Sequence, residues 1–101
     1  MGSKPQRFWV IRGYDSAQLI FERRLPLGSL SEREVGQMLQ RLAARDLTCD
    51  EVVRSSLRKR AKGYIGHLEI HRDARRAGGF CLMTTGNPHF TATAEEGPAA
   101  T

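Results

Sequence analysis

Cysteine is scarce in this chain of 101 residues: Cys49 and Cys81 stand far apart, in no C-x-x-C spacing. That excludes a disulfide-rich scaffold and a thiolate metal cluster. Long hydrophobic runs are missing too. Nothing approaches the roughly 20 apolar residues of a membrane helix, and the short Phe8–Ile11 run is too brief for a secretory leader. Neither G-x-x-x-x-G-K nor G-x-G-x-x-G occurs, so the glycine loops that cradle nucleotide phosphates are absent. These absences together lead to the expectation of a cytoplasmic protein without cofactor or resident metal. With 40% apolar residues the chain can fold, but at this length it builds one core and not two.

Positive charge, by contrast, is plentiful, with 16 Lys and Arg against 11 Asp and Glu, a net +5. It is concentrated in one stretch. Between Arg54 and Arg76 eight basic side chains meet two acidic ones, a local +6, whereas the remainder sums to −1. Clustered charge creates a local field, while interspersed charge mainly confers solubility.

Periodicity predicts the elements around that stretch. Phe8–Ile11 and Leu19–Phe21 are aromatic and β-branched runs separated by Gly13-Tyr14-Asp15-Ser16, which reads as a hairpin ended by Pro26, with the second strand half buried. Two helix starts follow. In Leu30-Ser31-Glu32-Arg33-Glu34-Val35 and Leu47-Thr48-Cys49-Asp50-Glu51-Val52, the hydroxyl caps the N3 amide, the glutamate reaches back, and the flanking apolar pair forms a staple. Val35, Met38, Leu39 and Leu42 give the first helix its apolar stripe. The second is expected to run to a stop at Gly63, with Val53, Leu57 and Ala61 inward and Arg54, Arg58 and Lys62 outward. From Tyr64 to His71 the period changes to two, predicting a half-buried strand, which pairs through an Arg-rich loop with Phe80–Thr84. Gly86-Asn87-Pro88 is a turn and His89–Ala94 a last strand. The expected fold is a single two-layer α+β domain over residues 7–94, an antiparallel sheet in the order β-β-α-α-β-β(-β) with the helix pair on one face. Residues 1–6 and 95–101 are expected to be disordered.

Catalytic patterns are thin. His67 and His71 have a zinc-like spacing only on a helix; on a strand their Cα atoms would lie about 13 Å apart, too far for one ion. His89-Phe90-Thr91-Ala92 matches one half of a two-histidine phosphoesterase motif, in which the imidazole transfers protons and the hydroxyl holds a phosphate oxygen. The only available second half, His67-Leu68-Glu69-Ile70, puts a repelling carboxylate where the hydroxyl belongs. A helix-turn-helix comparison across Asp46-Leu47-Thr48 departs from that motif at Leu42 and Ser55. A non-catalytic binding module is therefore expected. It would contact RNA or DNA mainly through phosphates, using Arg54, Arg58, Lys59, Lys62, Arg72, Arg75 and Arg76, with Tyr64 stacking on an unpaired base. The rival expectation is a protein-interaction module whose basic segment docks an acidic partner, or a homodimer formed by sheet-edge pairing.

Overall fold

The computed structural model describes residues 6–73, 81–86 and 88–97. Its first two strands are β1 (Gln6–Asp15) and β2 (Gln18–Pro26), an antiparallel hairpin. The turn is Ser16–Ala17, with Ser16 at φ 55°, and not the Gly13–Ser16 stretch expected to form it. Gly13 instead lies inside β1, opposite Phe90 and Phe21, where the pairing with β2 changes register. The fold continues through a 3₁₀ turn at Leu27–Ser29 to the helices α1 (Glu32–Ala44) and α2 (Cys49–Ser55). The short strands β3 (His71–Asp73) and β4 (Cys81–Met83) and the long strand β5 (His89–Gly97) complete it. This is an α+β domain with a five-stranded antiparallel sheet in spatial order β2-β1-β5-β4-β3.

Both helix starts form as their sequences dictate. Glu34 N donates to Ser31 Oγ at 3.1 Å and Ser31 N to Glu34 Oε1 at 2.9 Å, and Thr48 and Glu51 repeat the same two bonds at the same lengths. Each box satisfies two amide donors that the helix itself leaves unpaired. The backbone bond to Ser31 comes first, then that to its hydroxyl, in holding the Glu34 carboxyl below its ordinary pKa; Thr48 does the same for Glu51.

Alternation along the strands separates two faces of the sheet. Leu82, Ala92 and Ile11 form a cross-strand row on the face under α1, with Phe90 and Trp9 alongside. Val35, Leu39 and Ala43 of α1 close over them, and Met38 and Leu42 pack at the margin. Trp9 Nε1 donates to the Leu30 carbonyl at 3.1 Å and so fixes the entry into α1. On the other face Cys81, Thr93 and Val10 make a second row, and Arg24 of β2 stacks over the Phe8 ring, 4.2 Å from its centre. Cys49 is exposed, Cys81 is buried, and both are free thiols.

Four further expectations need correction. The second helix ends at Ser55 and buries no residue fully. Val53 and Leu57 are exposed, so no packing extends a helix this short, and Ser56 Oγ bonds back to the Val52 carbonyl at 2.7 Å, a competing local contact. Residues 64–70 form turns and irregular backbone, with only His71–Asp73 in a strand. β2 is exposed over most of its length because it lies at the sheet edge. Finally, the sheet takes in Gln6 and Glu95–Gly97, pairing Gln6 with Gly97, residues that the sequence alone assigns to the termini.

Candidate nucleic-acid interface

The basic stretch after α2 is a folded loop. Ala61 N bonds to the Arg58 carbonyl at 2.9 Å and Tyr64 N to the Ala61 carbonyl at 3.2 Å, giving two successive turns. Gly63 sits at φ 90°, in the left-handed region that glycine enters without a Cβ penalty. Arg54 closes the base of the loop: its Nε donates to the Gly63 carbonyl at 2.8 Å, and its own carbonyl accepts from Ile65 N at 3.4 Å. A side chain expected to reach out to phosphate thus holds the loop shut.

Glu69 gathers a second group. Its carboxylate pairs with Lys59 Nζ at 3.0 Å and accepts from the Tyr64 hydroxyl at 3.0 Å, while His71 Nε2 lies 3.9 Å away. The bond from Lys59, then that from Tyr64, keeps the Glu69 carboxyl below its usual pKa, and Glu69 in turn raises the pKa values of Lys59 and Tyr64. Tyr64 is half-buried, with its hydroxyl committed to Glu69. Gln40 Nε2 donates to the Leu68 carbonyl at 2.8 Å and Thr85 Oγ1 to the Gly66 carbonyl at 3.0 Å. These bonds tie residues 64–70 to α1 and to the end of β4.

Of the expected contact residues, Arg54, Arg58, Lys59, Lys62 and Tyr64 all lie on or beside this loop. Arg72 is separate from it: its partner across the sheet is Leu82, on the helix-covered face, and its Nε pairs with Glu32 in the first turn of α1 at 2.7 Å. Arg75 and Arg76 lie outside the described residues. Arg58, Arg60 and Lys62 are exposed, and among the described residues they form no ion pair. Arg60 is the residue the helical reading missed, since a helix would turn it away from the Arg54–Arg58–Lys62 face. The Ser55-Ser56 pair was the available sign that the helix would stop first.

The histidines have other neighbours. His89 stacks on Tyr14, ring centres 5.2 Å apart, and His67 Nε2 lies 3.8 Å from Glu51. Among the described residues no cluster of three or more His, Cys, Asp or Glu could hold a metal ion, and no helix is long and apolar enough to cross a membrane. On the face opposite α1, Arg12 is held between Glu95 and Glu22, each at 2.7 Å, and these bonds, that from Glu95 foremost, raise its already high pKa. Compared with protein families, curated proteins and solved structures, the chain finds no match.

Proposed function

We propose that the chain is a small non-catalytic module that binds RNA or DNA through phosphates, with the loop from Arg58 to Lys62 as its contact surface. One observation carries this reading: Arg58, Arg60 and Lys62 stand exposed, with no ion pair among the described residues, on two successive turns of a loop whose base is fastened by Arg54. Three cations held on a short ordered loop offer a field to a polyanion, and the counterions released from neutralised phosphates supply affinity. Lys59 contributes less, because Glu69 already occupies it. Arg54 and Arg72 act as structural side chains.

The test is a salt titration of binding to short duplex and single-stranded oligonucleotides. Affinity for the duplex should fall steeply with salt, and Arg58→Ala/Arg60→Ala/Lys62→Ala should flatten the log–log slope by about 2 to 3 units, near 0.9 per phosphate contact. Lys59→Ala should change the slope less, and Glu69→Gln, which releases Lys59, should raise affinity. Absence of binding at low salt, or an unchanged slope in the triple variant, removes the proposal. Capture of an acidic protein in place of nucleic acid would assign the same loop to the rival partner.

A further inference from the structure

The two edges of the sheet are built differently. β3 is three residues long and wholly polar, His71-Arg72-Asp73, which blunts that edge. β2 is nine residues long, spanning about 30 Å, and Leu19, Ile20 and Phe21 are 48%, 50% and 39% exposed. Beside it a largely apolar groove runs between β2 and α1, lined by Phe21, Arg23, Leu25, Met38 and Leu42 over Ile11. A long edge of this kind leaves backbone donors and acceptors that an added strand can satisfy.

Over its regular stretch, Phe21–Leu25, the sequence of β2 is self-complementary in one register. An antiparallel pair related by a two-fold axis normal to the sheet keeps side chains of like parity opposite each other. Centred on Arg23, that pairing sets Glu22 against Arg24 of the second copy and Phe21 against Leu25, and symmetry makes each pair occur twice. Centred on Glu22 it would oppose two carboxylates; centred on Phe21 it would set Ile20 against Glu22 and Leu19 against Arg23. The stretch from Phe21 to Leu25 pairs with β1 in unbroken register, so it is a regular template. Arg23 against its own copy opposes association, and two opposite-charge pairs with two apolar pairs offset it. We propose that β2 is the contact strand of a symmetric homodimer, with a second copy of this chain added antiparallel at the Arg23-centred register, joining the two five-stranded sheets into one.

The contact lies at the edge away from β3 and uses no residue of the basic loop, so it is tested separately from nucleic-acid binding. Sedimentation of the full chain without nucleic acid should show a dimer at about 100 µM. Glu22→Arg places like charges opposite each other twice, as does Arg24→Glu, and each variant alone should weaken dimerisation by about tenfold or more. In an equal mixture of the two, the arginine introduced in one variant faces the glutamate introduced in the other, and the remaining native Arg24 faces the remaining native Glu22. Heterodimers should therefore form at parental affinity, as should homodimers of the double variant Glu22→Arg/Arg24→Glu. Circular dichroism checks that each variant folds, and Ile20→Lys offers a second disruption that spares the Arg12–Glu22 pair. A parent chain that stays monomeric at that concentration overturns the proposal. Single variants that dimerise as well as the parent, or a mixture that does not recover, overturn this register.

Discussion

At Gly13 the sheet depends on the absence of a side chain. The residue pairs with Phe90 on β5, and a Cβ placed there would come within 2.7 Å of the Phe90 ring and 3.4 Å of Phe21 Cβ. The ring is fixed from the other side, since Phe90 is buried in the core beneath α1, and its amide donates to the buried hydroxyl of Thr84 at 2.9 Å. An aromatic ring over a strand glycine replaces the cross-strand contact that glycine cannot make. Gly13→Ala should therefore destabilise the domain by about 1 to 3 kcal/mol through overpacking, read as a lower denaturant midpoint at unchanged slope. Phe90→Leu in that background should recover part of the loss. An unchanged midpoint for Gly13→Ala would mean that the ring moves aside without cost, contrary to its burial.

The two capping boxes are chemically alike and differ in what depends on them. α1 buries Val35, Leu39 and Ala43 in the core, whereas α2 buries no residue fully. Ser31→Ala should cost about 1 kcal/mol of global stability, because fraying the first turn of α1 loosens the lid of the sheet. Thr48→Ala removes the same bonds from a helix of seven residues. Its effect should appear mainly as faster amide exchange in residues 50–57, with little change in melting temperature; an equal fall in both variants would show that α2 carries core packing after all. Both helix starts were legible because capping is chemistry between neighbours in sequence. The end of α2 was not, because helix length there depends on tertiary burial that Val53 and Leu57 do not find. The alternation of residues 64–70 misled for a related reason: Leu68 and Ile70 pack against the core cluster from an irregular segment, and the period of two reflects that packing without a neighbouring strand to pair with.

Across the whole molecule, the charge is concentrated by the sequence and given its partners by the fold. The +6 segment is plain in the composition, but the partners of Arg54, Lys59 and Arg72 are Gly63, Glu69 and Glu32, and two of these arise from chain reversals that no local pattern encodes. The carboxylates, fewer than the cations, also set the response to acid. Glu34, Glu51 and Glu69 have pKa values lowered by folding. Each binds a proton more readily in the unfolded chain, so the stability these groups contribute is present at neutral pH and is lost as pH falls through the acid range. Protonation also leaves the cations unopposed, and their mutual repulsion adds to the loss. Melting temperature should therefore drop below about pH 5, and Glu34→Gln with Glu51→Gln should make that drop shallower. The candidate interface should respond in the opposite sense. Protonation of Glu69 releases Lys59, so at constant salt, while the protein remains folded, affinity for an oligonucleotide should rise as pH falls in this range. Glu69→Gln should bind tightly throughout and lose that rise. Thermal melts and fluorescence anisotropy on the same samples measure both. A melting temperature that holds or increases on acidification contradicts the lowered carboxyl pKa values, and an affinity rise that survives in Glu69→Gln assigns the titration to another group.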